Sequence, residues 1–565
     1  MRFSLAHLLE WSAGTPEAGT PFTSVSMSSR PDGWPPMKPG GLFVAIRGAR
    51  RDGHDYVADA FANGAVAALV DHVPHGMESS VAEGRVRVLR LERGAVTERA
   101  GEGEEDPLHP QSPLPLSLPH HENPLPLPLP RCDGRGETYA ATLVIAEPGT
   151  GALATLQEVG GWWRRRWGRP VVAIAGSVGK TTTKDLVAAV LARAFRTLGT
   201  AGNLNNELGL PITLLGLGPE HEVAAVEIGI SAPGEMATFA AIAAPDVAVM
   251  TRIEAEHLEF LRDIDTVAFE EGVLVACLPP SGTAVLNADD PRVLAMASRT
   301  SARILTYGMA PDADVRAEGV RSRGIDGVTF RLCHQGRTAL VELPLAGRHF
   351  VSAALAAAAA GLAMGAGWDA VVAGLESTPV APRIRVVRPN DSLLVIDDTY
   401  NASPASCIAA LDLLAESPGT RVAILGDMFE LGDYTHEAHA TVGAHVARHA
   451  DALVAVGDAS RATVHHAIAS GMASTDVAWV ARAADAAGAF ETWRRTACVS
   501  GRCTVLVKGS RGMRMELVTH DLERLAAPAE RTPSPTPPPL RRERGEPPAQ
   551  SPTHRAQIEW SNERS

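Results

Sequence analysis

Residues 171–185 read VVAIAGSVGKTTTKD, and the reading of this stretch decides the fold. Val171 to Ala175 is a short apolar run that reads as a buried strand. A glycine-containing turn follows, then a segment compatible with a helix. Strand, loop and helix in that order make a cradle for nucleotide phosphates. Gly176 and Gly179 permit backbone angles and a close approach that a side chain would forbid. Backbone N–H groups through Ser177, Val178 and Thr182 can then face phosphate oxygens, where the dipole of the helix also favours negative charge. Lys180 would reach the terminal phosphates, and the hydroxyl of Thr181 would sit on magnesium. The motif is a shortened G-x-x-G-K-T, because Ile174 stands where the longer form carries its first glycine. An exposed glycine turn before an ordinary helix is the alternative, and the strand before it and the threonine run after it argue against that.

The chain of 565 residues is too long for one core and predicts three or four domains. An apolar fraction of 45% and a charged fraction of 21% are those of a globular protein. A net charge of -13 implies no basic face for nucleic acid or an acidic membrane. Cys132, Cys277, Cys333, Cys407, Cys498 and Cys503 form no C-x-x-C pair, so reduced thiols are expected rather than a zinc ribbon or a disulfide framework. The opening MRFSLAHLLEW holds Glu10 and no long apolar core, and so does not read as a signal peptide. The Ala-rich stretch from Ala353 to Gly367 is too short to span a bilayer. A cytoplasmic protein without membrane insertion is expected.

Along the chain, LFVAIRG and DGHDYVADAFANGAVAALV predict strand, loop, amphipathic helix and strand in a first unit, residues 1–165. Just upstream, Ser29 and Arg30 in SSRPDG are candidates for a phosphorylated ligand, an exposed turn being the alternative. Residues 94–135 collapse into alternating Pro and Leu, which forbids helix interiors and sheet ladders and predicts a disordered or polyproline-like insertion. A second unit, 166–378, and a third, 379–528, alternate strands with helices, as in mostly parallel sheets covered on both faces. A Pro-rich tail, 529–565, predicts disorder.

Taken in order, GSVGKTTTKD, GNLNNELGLP, VEIGISAPGE, HLE, NADDP, GRH, DDTYNASP, GDMFELG and LVKGSRG resemble the motifs of the Mur ligase family, ATP-dependent enzymes that join a carboxylate to an amine. The resemblance covers about residues 20–92 and 140–520. It implies an α/β protein of three domains, with a P-loop central parallel sheet and a Rossmann-like C-terminal domain. The branch it points to adds D-alanyl-D-alanine to UDP-N-acetylmuramoyl-tripeptide by way of an acyl phosphate, with ATP and Mg2+, in a monomer. The D-N-P-R signature expected of the ligase that adds the third amino acid is not found.

The resemblance implies roles residue by residue. Glu227 closes the run VAAVE at a strand's ligand edge and would bind magnesium with Thr181. His257 would bind a second metal ion or orient the acyl phosphate. Asn203, Asn205 and Asn206 would contact phosphate or substrate, or cap a helix. Asn287 would read adenine, Arg383 would contact phosphate, Asp398 would hold the ribose hydroxyls and Asn401 would orient substrate. Lys508, Ser510 and Arg511 are candidates for the carboxylate of the dipeptide, which an arginine can grip by two parallel hydrogen bonds. Phe350 and Ala353 stand where the family carries asparagines.

One departure is chemical. Where the family has a carbamylated lysine near the second magnesium, this chain has Glu271, shorter by roughly 4 Å. The expectation is that Glu271 replaces the carbamate, the alternative being a solvated helix residue. Other readings are another amide ligase of the superfamily, folylpolyglutamate synthase or the third-residue-adding enzyme, and a nucleotide-binding relative without ligase activity.

Overall fold

The computed structural model describes residues 22–27, 36–48, 51–83, 85–92, 95–98, 131–132, 138–139, 141–146, 151–377, 384–497 and 501–526. Ser29, Arg30, Arg383 and the tail 529–565 lie outside the described residues, as does most of the Pro-rich insertion. The apolar runs become strands of three large sheets.

The first sheet has six strands, in the order Val25–Ser26, Leu42–Val44, Ala67–Val70, Ala141–Ile145, Val86–Glu92 and Ala95–Glu98. All neighbours run parallel except the last pair. The expected helix is Val57–Ala62, entered through a 3-10 turn at Gly53–Tyr56. Residues 95–98, counted above with the insertion, are an edge strand. Their sequence AVTE precedes the Pro-Leu run and has β-branched residues to pair.

The central sheet has nine strands. The second to fifth in order, Val223–Glu227, Val171–Ala175, Val247–Met250 and Thr283–Asn287, are buried throughout and parallel. Continuous apolar strands are what a parallel sheet covered on both faces requires. Val172 and Ile174 face the helices Lys180–Leu191 and Phe350–Ala363. Val171, Ala173 and Ala175 face Gly151–Trp167, Gly209–Leu215 and Glu235–Ala243. Helix Gly151–Trp167 lay partly in the first unit of the sequence reading. Leu156, Val159 and Trp163 bury it on the central layer, the Trp163 indole donates to the Leu217 carbonyl at 3.0 Å, and Arg164 Nε donates to the Ala243 carbonyl at 2.8 Å. The same buried layer takes in Leu42, Leu69 and Val144 of the first sheet, and Ala152 N–H donates to Asp71 Oδ1, so this helix packs on the first and central units alike.

The third sheet runs Arg385–Asn390, Leu393–Asp398, Cys503–Lys508, Thr420–Gly426, Ala452–Val456 and Val477–Val480, antiparallel only in its first pair. One buried cluster runs from the central sheet through Phe350–Ala363 into this unit, taking in Ile396, Cys407 and Leu411. The Ala-rich stretch is thus an internal helix, and no described helix is long and apolar enough to cross a membrane.

Small side chains set the spacing of that layer. A Cβ built on Gly374, in helix Trp368–Glu376, would lie 2.6 Å from Val190 Cα, a backbone atom that cannot turn aside. Alanine gains up to ~1 kcal/mol in helix propensity, whereas overpacking costs ~1–3 kcal/mol. Gly374→Ala is expected to lower stability by about 1–2 kcal/mol in urea unfolding; equal or greater stability would show that the two helices are not held at this distance.

Candidate active site

The turn after Val171–Ala175 is fixed from several sides. Gly176 has φ +114°, and a Cβ there would meet Thr251 Oγ1 at 2.3 Å, so only glycine fits. Ser177 N–H donates to the Arg252 carbonyl at 2.7 Å, and Ser177 Oγ accepts from Glu254 N–H at 3.1 Å. Gly179, φ +91°, delivers the chain into helix Lys180–Leu191. Ser177 through Thr183 line a cavity of about 790 Å³.

Lys180 Nζ donates to the Ser177 carbonyl at 2.9 Å and pairs with Glu256 Oε2 at 3.2 Å. Burial disfavours its charge, but the carboxylates of Glu256, Glu271 and Glu227 outweigh that and hold its pKa above the ordinary lysine value. Glu227 is at the strand end, as expected. Its Oε1 accepts from Thr181 Oγ1 at 3.0 Å and from Asn205 Nδ2 at 2.8 Å, while Oε2 is buried without a hydrogen-bond partner. His257 begins helix Leu258–Leu261 at φ +54°, a strained angle for a side-chain-bearing residue. Its Nδ1 lies 2.6 Å from Glu430 Oε2 of the third unit, out of line for a hydrogen bond.

The third unit closes the other side of the cavity with Asp398, Tyr400, Asn401, Phe429, Glu430 and Arg511. Asp398 Oδ2 accepts from Lys508 Nζ at 2.6 Å, and the same ammonium donates to the Asn401 carbonyl at 2.8 Å. Ser510 Oγ accepts from Phe429 N–H at 2.9 Å. Arg348 Nε on the central side pairs with Glu416 Oε1 at 3.0 Å across the two units.

The cavity thus gathers Lys180, Thr181, Glu227, His257, Asn203, Asn205, Asn206, Asn287, Asp398, Asn401, Lys508, Ser510 and Arg511. Several do other work than their motifs suggested. Glu271 does not line the cavity. Its Oε2 accepts from Gly176 N–H at 2.9 Å beneath the loop, because the short side chain ends at the near face of the loop backbone. Lys508 is buried and tied to Asp398 and Asn401, whereas Arg511 is exposed in the cavity wall. Asn287 spends its amide on the Thr251 carbonyl, 2.8 Å, and on Asp289 N–H, 3.0 Å. Asn206 Oδ1 accepts from Gly209 N–H at 3.0 Å, at the first residue of helix Gly209–Leu215. Phe350 and Ala353 form an apolar stretch of the wall. Glu256 and Glu430 were missed, although both stand inside or beside motifs quoted above, HLE and GDMFELG. A carboxylate next to the metal-binding candidate His257 was the available signal.

Residues 174–361 match the Mur ligase middle domain, residues 382–511 the Mur ligase glutamate ligase domain, and residues 35–95 the catalytic domain of the Mur ligase family. Over 492 residues the chain is 32% identical to the UDP-N-acetylmuramoyl-tripeptide--D-alanyl-D-alanine ligase of Escherichia coli (strain K12), covering 86% of this chain and 92% of the relative. Among solved structures, MurF from Acinetobacter baumannii superposes with a TM-score of 0.72 at 26% identity, over 93% of this chain and 99% of that one. MurF ligase from Thermotoga maritima, solved in complex with ADP, shares the fold at 22% identity and a TM-score of 0.65, over 89% and 97% of the two chains.

Burial pushes the Glu271 carboxyl up to about 7, against the pull of Lys180 and the Gly176 N–H. The folded chain therefore holds this proton more tightly than the unfolded chain, and stability from the group is lost as pH rises from about 4.5 to about 7. Glu271→Gln keeps an acceptor for Gly176 without the charge. Its melting temperature is expected to match the wild type near pH 4.5, exceed it increasingly up to pH 7, and stay above it by a constant margin beyond. A difference independent of pH would contradict the buried placement.

Proposed function

Because the chain belongs to the Mur ligase family, we propose that it joins D-alanyl-D-alanine to UDP-N-acetylmuramoyl-tripeptide at the expense of ATP, in the synthesis of peptidoglycan precursors. The observation that carries this reading is the single cavity that presents the phosphate loop, Glu227 and His257 from the central unit opposite Asn401 and Arg511 from the third. A carboxylate is a poor electrophile. Transfer of the γ-phosphoryl group of ATP to the tripeptide carboxylate gives an acyl phosphate and ADP; the dipeptide amine then attacks the acyl carbon, loses a proton and expels inorganic phosphate.

The loop N–H groups and Lys180 would hold the phosphates and offset charge as it moves to the leaving ADP. Magnesium fits the residues present. Glu227 Oε2 is buried and unpartnered, its other oxygen taking the Thr181 hydroxyl, and the Lys180 ammonium pairs with Glu256 and feels the fields of Glu271 and Glu227. Thr181 and Glu227 would hold the ion through oxygen, with water completing the set, and it would supply neutralising charge between phosphate groups. His257 would orient the acyl phosphate, and Asn203 and Asn205 would face the tripeptide side. Asp398, pinned by Lys508, would meet the nucleotide. Arg511 would grip the dipeptide carboxylate. Enclosure of these ligands between two units would keep water from a hydrolysable intermediate. We place the protein in the cytoplasm, where UDP-linked precursors and ATP are found together.

Phosphate release is expected only when ATP, Mg2+, UDP-N-acetylmuramoyl-tripeptide and D-alanyl-D-alanine are all present, with kcat lowered roughly a hundredfold or more in Glu227→Gln at unchanged circular dichroism. Equal release with a folate acceptor and glutamate, or ATP binding without substrate-dependent release, would overturn the reading in favour of another amide ligase or an inactive relative.

A further inference from the structure

Outside the cavity, the third unit brings Asp412, His445 and His449 together on two neighbouring helices, Pro404–Ala415 and Thr435–His449. We infer that these three side chains form a binding site for a divalent transition-metal ion, zinc in the first place, that clamps the two helices.

The two histidines are four residues apart and therefore share one face of their helix. Their rings stack 4.0 Å apart at 12°, and both Nε2 atoms address the same carboxylate oxygen. His445 Nε2 lies 2.8 Å from Asp412 Oδ1 and His449 Nε2 3.6 Å from it. All three ligand atoms lie within 4.8 Å of one another, so small side-chain shifts bring them inside the ~4.2 Å that two bonds near 2.1 Å to one cation can span.

The hydrogen bonds behind the rings set the tautomers. His449 Nδ1 faces the His445 carbonyl at 2.9 Å and must carry the hydrogen, which leaves a lone pair on Nε2 aimed at the carboxylate. A ring nitrogen donating to a backbone carbonyl while the other ligates metal is the usual outer-shell arrangement of a metal-bound histidine. The exposed guanidinium of Arg448 touches His445 Nδ1 at 3.4 Å and can swing aside when that nitrogen takes the hydrogen on metal binding. Asp412 is more than half exposed, which leaves the remaining coordination positions to water. Imidazole and carboxylate ligands in this number suit Zn2+ over Mg2+, which prefers oxygen alone.

The site matters because of what its helices carry. Pro404–Ala415 follows the loop of Asp398 and Asn401, and Thr435–His449 follows the loop of Phe429 and Glu430, so the clamp ties together, at their far ends, the two helices that carry cavity-facing loops.

The test is calorimetric titration of ZnCl2 into the chelator-treated full chain in magnesium buffer, with melting temperature read in parallel. One strong site is expected, together with a rise of several degrees in melting temperature. His445→Ala and His449→Ala should each weaken binding roughly tenfold or more and abolish the rise. The exposed Asp412→Asn should weaken it as well and carries the test if a histidine variant fails to fold. Absence of stoichiometric zinc binding by the wild type, or unchanged affinity in the variants, would overturn the inference.

Discussion

Lys180 is held among Glu256, Glu271 and Glu227, and this crowd of carboxylates round one ammonium is the constraint on which the site depends. A triphosphate would add negative charge to that crowd. Under the proposed function a divalent ion entering with the nucleotide would meet the unpartnered oxygen of Glu227. The three acids are not equivalent. Glu227 is aligned by Thr181 and Asn205, Glu256 is paired with Lys180 directly, and Glu271 is turned inward to hold the loop backbone.

The two sheets that meet at the cavity supply different parts by the same rule, since ligand-facing residues stand at the carboxyl ends of parallel strands. Glu227 ends one central strand and Asn287 another; Asp398 and Lys508 end adjacent strands of the third sheet. Between the units, His257 meets Glu430 and Arg348 meets Glu416. His257 and Glu430 both have positive φ, 54° and 63°, so the backbone on each side is bent to bring them together.

What could be read from the sequence follows from what is local. VVAIAGSVGKTTTKD, VAAVE and TVLV announced strands with functional ends because apolar runs and turn glycines act within a few residues of themselves. The placement of Glu227, His257 and Asp398 on one cavity followed from that pattern together with the family resemblance. What was not legible depends on partners distant in sequence. Lys508 looked like a free cation until Asp398, 110 residues away, was seen to neutralise it. Glu271 looked solvent-facing or metal-facing, and only the fold shows it beneath Gly176, 95 residues earlier. Glu256 and Glu430 carried no periodic signal, and the apolar face of the helix from Gly151 does not say that it packs on two sheets at once.

The central claim, that Glu227 and the loop around Lys180 gather the nucleotide through a divalent cation, is tested most directly by titrating a non-hydrolysable ATP analogue into the wild type and Glu227→Ala, each with and without Mg2+. The account predicts that Mg2+ tightens binding markedly in the wild type and much less in the variant, while metal-free affinity changes little. An equal magnesium effect in both proteins would contradict it.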